Sequence, residues 1–253
     1  MTNFGVFLSC VSKLVVVCLS RNKMLFLYSG CCLALSRILQ MLSFFLPLKV
    51  LMLLSAESVP SYMKDLNGFF SHQEVLILFT ALVPVAYLSY ILFGILYRKS
   101  FDADQKGGWG AVSQFLDMRF SENQLKTLHG NLLRMTSDFL VIVVSIISLL
   151  FISLSVAAYV SISSFFLFLA FDKYSFSIKE VDRISCFRLH RRQYIEYLVS
   201  INFVLIFGVL AMISMHSSYN IYSILLALLV SRLSMQALQR FAFECLQVRR
   251  LLG

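Results

Sequence analysis

Charge is what this chain lacks most. Asp, Glu, Lys and Arg together make up 14% of it, against roughly 25% in soluble domains. A chain that is 59% hydrophobic cannot solvate a closed globular surface with so few charges, which excludes a freely soluble domain. Proline is also scarce, with 3 residues (Pro47, Pro60 and Pro84), so long helices are left largely uninterrupted. The 4 histidines, His72, His129, His190 and His216, are scattered singly. With no pair at metal-ligand spacing and no Cys-x-x-Cys, neither a zinc site nor any other metal or cofactor site is expected. No GxxxxGK[ST] phosphate loop occurs. The Gly-rich segment at Lys106–Gly110 lacks both its spacing and its Lys, so ATP binding by this chain alone is not expected. HExxH and GxSxG are missing too, and the chain does not read as an enzyme.

What is present in quantity is uninterrupted apolar sequence. Residues 139–171 read FLVIVVSIISLLFISLSVAAYVSISSFFLFLAF, without a charge, Gly or Pro. As one helix the run would be ~50 Å long, against a hydrocarbon core of ~30 Å. It is too long for one comfortable crossing and suits a tight hairpin, turning near Ser155–Ser161. Residues 75–97 form the cleanest single span, with Pro84 near its middle. Residues 24–56 are apolar around Arg37, Lys49 and Pro47, and residues 197–215 and 221–239 make a last pair. Residues 4–20 carry a polar stripe at Ser9, Ser12 and Lys13, which suits an interfacial helix, with a full span as the alternative.

The net charge of +9 is distributed as a membrane protein distributes it. Arg98, Lys99, Lys106, Arg119, Lys126 and Arg134 lie in 98–137, and Lys173, Lys179, Arg183, Arg188, Arg191 and Arg192 lie in 173–196. Residues 57–73 carry Lys64 alone. The positive-inside rule places 98–137 and 173–196 in the cytoplasm, with both termini. No basic face interleaved with stacking aromatics stands apart, so nucleic acid is not an expected partner. The expectation is an all-α polytopic protein forming one membrane domain over 1–253, with about six spans near 36–56, 75–97, 139–155, 159–172, 197–215 and 221–239. The 6 cysteines lie in or beside apolar segments and read as small buried hydrophobes rather than a disulfide framework.

Candidate functional residues are the charges inside apolar segments. Arg37 and Arg232, toward the cytoplasmic half, read first as side chains that snorkel to the interface, with a partner or wet cavity as the alternative, whereas Lys49, nearer the outer leaflet beside the Pro47 kink, is the better cavity candidate. No acidic residue reads as lying deep in a span, which argues against an internal ion pair or a carboxylate proton relay. In 98–137 two short amphipathic helices are expected, one on Val112, Phe115, Leu116 and Met118, the other on Leu125, Leu128, Leu132 and Leu133. In 173–196, Ile178, Val181, Ile184 and Phe187 with Arg183, Arg188, Arg191 and Arg192 suggest a basic amphipathic helix. It would lie on an anionic leaflet or dock a partner.

The segment Ile221–Glu244, with Arg232, Ala237, Leu238 and Gln239, resembles the last span of the membrane domain of ABC exporters. The order of elbow helix, long first span, hairpin and closing pair is similar to that family. The chain departs from it in lacking the nucleotide-binding domain and in a short stretch between the fourth and fifth spans. The resemblance implies a membrane subunit of an export assembly, homo- or hetero-oligomeric, driven by a separate ATPase in a bacterial inner (plasma) membrane. A structural or accessory subunit with no translocation path is the alternative. A membrane-embedded transferase using Arg188, His190, Arg191 and Arg192 is a third reading.

Overall fold

The computed structural model describes residues 3–55, 72–105, 121–171, 183–184, 189–216 and 221–252; for residues 3–14, 16–23, 72, 105, 122, 183–184, 189, 216, 221–222 and 252 it describes the backbone only. Helices α1 (Asn3–Leu54), α2 (His72–Gln105), α3 (Glu122–Ile152), α4 (Leu154–Ala170), α5 (Arg191–His216) and α6 (Ile221–Leu252) dominate it. A two-stranded ribbon, β1 (Arg183–Ile184) and β2 (Leu189–His190), precedes α5. Five of the helices are long and apolar enough to cross a membrane, and α4 is a shorter apolar helix. The chain is therefore an all-α polytopic membrane protein. Its outward side chains require that solvent: Phe151 is 88% exposed, Met215 85% and Phe44 80%. In water so much exposed apolar surface would drive aggregation, whereas lipid accepts it and demands that backbone groups be satisfied within helices.

Three local features depart from expectation. Residues 4–20 do not form a separate helix, because α1 continues without a break from Asn3 through Leu54. Neither Gly nor Pro stands between Cys18 and Met24 to stop it. The expected amphipathic helix at Leu125–Leu133 is the opening of α3, continuous with the apolar run. Ser121 caps it: its hydroxyl accepts from Gln124 N, and the Gln124 side chain accepts from Ser121 N, a reciprocal capping box. Leu125, Leu128, Leu132 and Leu133 are all buried. The expected basic helix through Ile184 is instead extended at 183–184 and 189–190, where Arg183 pairs with His190 and Ile184 with Leu189. A strict three-residue spacing explains this. On a 3.6-residue helix it drifts around the axis and makes no continuous apolar face. Ile178, Val181 and Phe187 lie outside the described residues, as do Val112, Phe115, Leu116 and Met118.

Side-chain contacts fix the helix directions. α2 runs antiparallel to α1: Leu53 packs with Val75, Lys49 with Phe79, and Ser36 Oγ donates to Tyr90 O at 3.3 Å. A Cβ on Gly94 would lie 3.7 Å from Ser36 Oγ, so small residues bring these two helices together. α3 runs parallel to α1, from Phe26 against His129 to Arg37 against Asp138. α6 runs antiparallel to α3, pairing Arg134 with Glu244 and Asp138 with Arg240.

The apolar run reverses at Ser153, ahead of the expected 155–161 interval. This residue caps both α3 and α4 in an extended conformation, and its N–H donates to Leu149 O at 2.8 Å. α4 then climbs back along α6. Val156 and Ala227 line one small cavity near the reversal, and Phe168 meets Phe241 edge to face at the far end, 5.8 Å between centroids. At 17 residues, α4 is ~25 Å long. Asn202 on α5 ties this half together, its Nδ2 donating to Ser163 Oγ at 3.3 Å and lying 3.2 Å from Met235 Sδ.

Candidate functional site: an arginine-lined cleft over a buried aspartate

The helix directions gather basic residues at one end. Arg98, Lys126, Arg134, Arg191, Arg192, Arg240, Arg249 and Arg250 all fall toward the end of the bundle where Phe26, Phe101 and His129 meet. Lys49 stands toward the opposite end, its Nζ 4.9 Å from the Phe79 ring centroid. That cation–π contact holds its charge near the start of the α2 apolar stretch.

Asp138 is the electrostatic pivot of this region. It ends the polar part of α3 and is fully buried. Two cations reach the same oxygen: Arg37 Nη1 from α1 contacts Asp138 Oδ1, and Arg240 Nε from α6 lies 3.2 Å from it. Ser137 Oγ takes a further bond from Arg37 Nη1 at 3.4 Å. One helical turn away, Arg134 and Glu244 pair at 3.6 Å. The antiparallel helices thus match Arg134 and Asp138 on α3 against Glu244 and Arg240 on α6, each couple spaced i, i+4 on one face. An internal ion pair, which the sequence reading had argued against, is therefore present, and Arg37 is drawn inward to a partner instead of snorkelling.

A second buried pair sits at the basic end, where His129 Nε2 lies 2.8 Å from Asp104 Oδ2. The imidazole is nearly parallel to the Phe101 ring, at 5.9 Å and 19°, and tilted against Phe26. It joins the ends of α2 and α3 beside α1.

Above Asp138, α1 and α2 on one side and α6 on the other leave a polar cleft. One part, about 700 Å³, is lined by Arg37, Gln40, Tyr90, Arg232, Gln236 and Arg240 among others. An adjoining part of about 500 Å³ shares Arg37, Gln40, Tyr90 and Arg240 and extends to Tyr97 and Arg98. These volumes fall in the range of ligand sites. The depth is set by α2, whose stretch from Val75 to Tyr97 carries no charge. Arg37 lies opposite Tyr90–Gly94 and Arg232 shares its cavity with Tyr87, near the middle of that stretch. A cation at the centre of a lone membrane helix costs ~2.5–3.5 kcal/mol, so a polar recess is the environment that retains Arg232 there.

The remaining sequence candidates lie elsewhere. Arg191 and Arg192 open α5, and the Arg192 guanidinium covers the Phe243 ring of α6 at 4.8 Å. Arg183 belongs to β1. Arg188, Phe115 and Leu116 lie outside the described residues. The cleft thus unites Arg37 and Arg232 with Gln40, Gln236 and Arg240, which the sequence alone does not single out, and Asp138 lies buried behind it. Among the described residues no group of His, Cys, Asp and Glu is arranged to hold a metal ion. Comparison of the chain with protein-family models, with curated proteins and with solved structures finds no match.

Proposed function

We propose that this chain is the membrane-embedded subunit of an export or transport assembly, energised by a separate ATPase. The observation that carries this reading is the polar cleft: guanidinium, amide and phenol groups from α1, α2 and α6 converge at membrane depth in an otherwise apolar protein. Such groups are costly in lipid and mark pathways or partners. The likeness of Ile221–Glu244 to the last span of ABC exporter membrane domains adds direction to it. On this reading the cleft opens alternately to the two sides, and residues 98–137 and 173–196 receive the ATPase. The host membrane is the bacterial inner membrane, and the working unit is an oligomer.

Affinity purification in mild detergent, with co-purifying chains identified by mass spectrometry, tests the proposal. A P-loop ATPase in stoichiometric amount is the expected result, and fractionation with the inner membrane should accompany it. Purification without any ATPase contradicts it.

One observation favours a structural or accessory role instead. The ion pairs of Arg37, Asp138 and Arg240, and the contact of Asp104 with His129, tie helices to one another. Under that reading Arg232→Leu leaves the assembly's activity intact, whereas the transport reading requires its loss.

A further inference from the structure

We infer that the cleft between α1, α2 and α6 binds an anionic lipid of the surrounding bilayer, its phosphate held by Arg37, Arg232 and Arg240 and its acyl chain in the adjoining apolar groove. This deepens the transport reading by naming a class of cargo, and rests on that reading only for the lipid being cargo; binding itself needs no ATPase.

The charge balance is the first argument. Arg37 and Arg240 both reach Asp138 through Oδ1, and Glu244, which pairs with Arg134, adds a weaker charge interaction with Arg37. Arg240 Nη2 is buried without a hydrogen-bond partner among the described residues. Arg232 forms no ion pair among the described residues, although it lies near the middle of the α2 apolar stretch. The cleft therefore holds more positive charge than its protein surroundings neutralise, and a phosphate is the anion that guanidinium groups hold best, through paired N–H donors. Gln40 and Gln236 add amide donors to the same walls.

The second argument is what lies next to the charge. Met41, Leu229 and Leu233 border the cleft and also border an apolar groove of about 400 Å³ between α1, α3 and α6. Ile38, Phe45 and Val144 continue that groove toward Phe151, which is itself exposed to lipid. A small soluble anion would use the arginines and leave the groove unused. A molecule with a phosphate at one end and hydrocarbon at the other uses both, and the bilayer supplies it from its headgroup layer, the phosphate entering along the polar cleft and the chain staying in hydrocarbon.

The test compares phosphatidylglycerol with phosphatidylcholine of identical acyl chains, so that net headgroup charge is the chief difference. The full-length chain is purified in a neutral detergent, and bound lipid is counted by native mass spectrometry at equal lipid concentrations. Wild type should retain phosphatidylglycerol over phosphatidylcholine by roughly tenfold, the scale of one charge-assisted contact. Arg232→Gln should reduce that preference to about twofold or less with thermal unfolding unchanged, because Arg232 makes no ion pair to another helix among the described residues. Gln236→Glu, which sets a carboxylate among the arginines, should do the same. Equal retention of the two lipids by wild type overturns the inference, as does a preference that survives Arg232→Gln. Displacement of phosphatidylglycerol by inorganic phosphate or by an acidic peptide at equal concentration overturns the role given to the acyl chain. If no ATPase co-purifies but the lipid preference and its loss are found, the transport reading fails and this one stands.

Discussion

Replacing Asp138 by Leu should destabilise the protein more than replacing either arginine that holds it. Asp138 is fully buried, while the side chains of Arg37 and Arg240 are 16% and 38% exposed toward the cleft. Removing one member of a fully buried ion pair costs about 3–5 kcal/mol, because the other charge is stranded. Here the stranded arginines can turn partly toward the polar cleft, which lowers the cost of Asp138→Leu to about 2–3 kcal/mol. Arg37→Leu leaves Asp138 its contact with Arg240 and should cost about 1–2 kcal/mol, the scale of one charged hydrogen bond. The triple variant Arg37→Leu, Asp138→Leu, Arg240→Leu strands nothing and should return to within about 1 kcal/mol of wild type. Thermal unfolding of detergent-purified protein, followed by loss of the monodisperse peak in size exclusion, reads these differences. At roughly 2–4 °C per kcal/mol for a chain of this size, Asp138→Leu should unfold ~5–10 °C below wild type, with most of the deficit recovered in the triple variant. An Asp138→Leu protein within about 1 °C of wild type would refute the buried clamp. So would a triple variant as unstable as the single one.

Other expectations follow from particular contacts. Gly94→Ala should be tolerated, since its Cβ would sit 3.7 Å from Ser36 Oγ, whereas Gly94→Leu should drive α1 and α2 apart and unfold at lower temperature by the same assay. Asn202→Val removes bonds to Ser163 and Met235 and should cost about 0.6 kcal/mol, at most ~1.7, as interhelical polar contacts in membranes do; a loss several times larger would mean that Asn202 has a further role. Cysteines at positions 168 and 241 should be joined by a short bifunctional thiol reagent, because the ring contact brings α4 and α6 together there while leaving the backbones farther apart than a disulfide spans. A pair at 168 and 226 should not, since Leu226 lines the groove that reaches the reversal; the opposite pattern would show that α4 does not return along α6.

How far the sequence foretold this arrangement depends on the residue. The membrane class was legible in residues 139–171, because no folded domain in water can use so long an uncharged stretch. Arg37 and Arg232 were legible as out-of-place charges in apolar segments, though not as members of one cleft. Asp138 borders the apolar run 139–171, so on sequence alone it falls just outside a span. The helix in fact begins at Glu122, which puts Asp138 inside the bundle. A signal for it did exist. Arg134 and Asp138 are spaced i, i+4, and Arg240 and Glu244 repeat the spacing with the same order of signs, the match that two antiparallel helices need. Lys49 could not be matched to Phe79 from sequence, because their meeting depends on how α1 and α2 are aligned, and that is set by small residues at Ser36 and Gly94. The reversal at Ser153 was displaced in prediction because neither Gly nor Pro marks it, and one extended serine is enough to interrupt the helix.

The measurement that bears most directly on the central claim is labelling of single cysteines by a membrane-impermeant maleimide, in inside-out and right-side-out vesicles, in a background without the native cysteines. Gln40 and Gln236 face the cleft, and Leu88, on α2 at similar depth, is exposed on its apolar surface. Reaction of Gln40→Cys and Gln236→Cys from one side, with Leu88→Cys protected from both, is the result a polar cleft at membrane depth predicts. Protection of all three, or reaction of Leu88→Cys as fast as the other two, would contradict it.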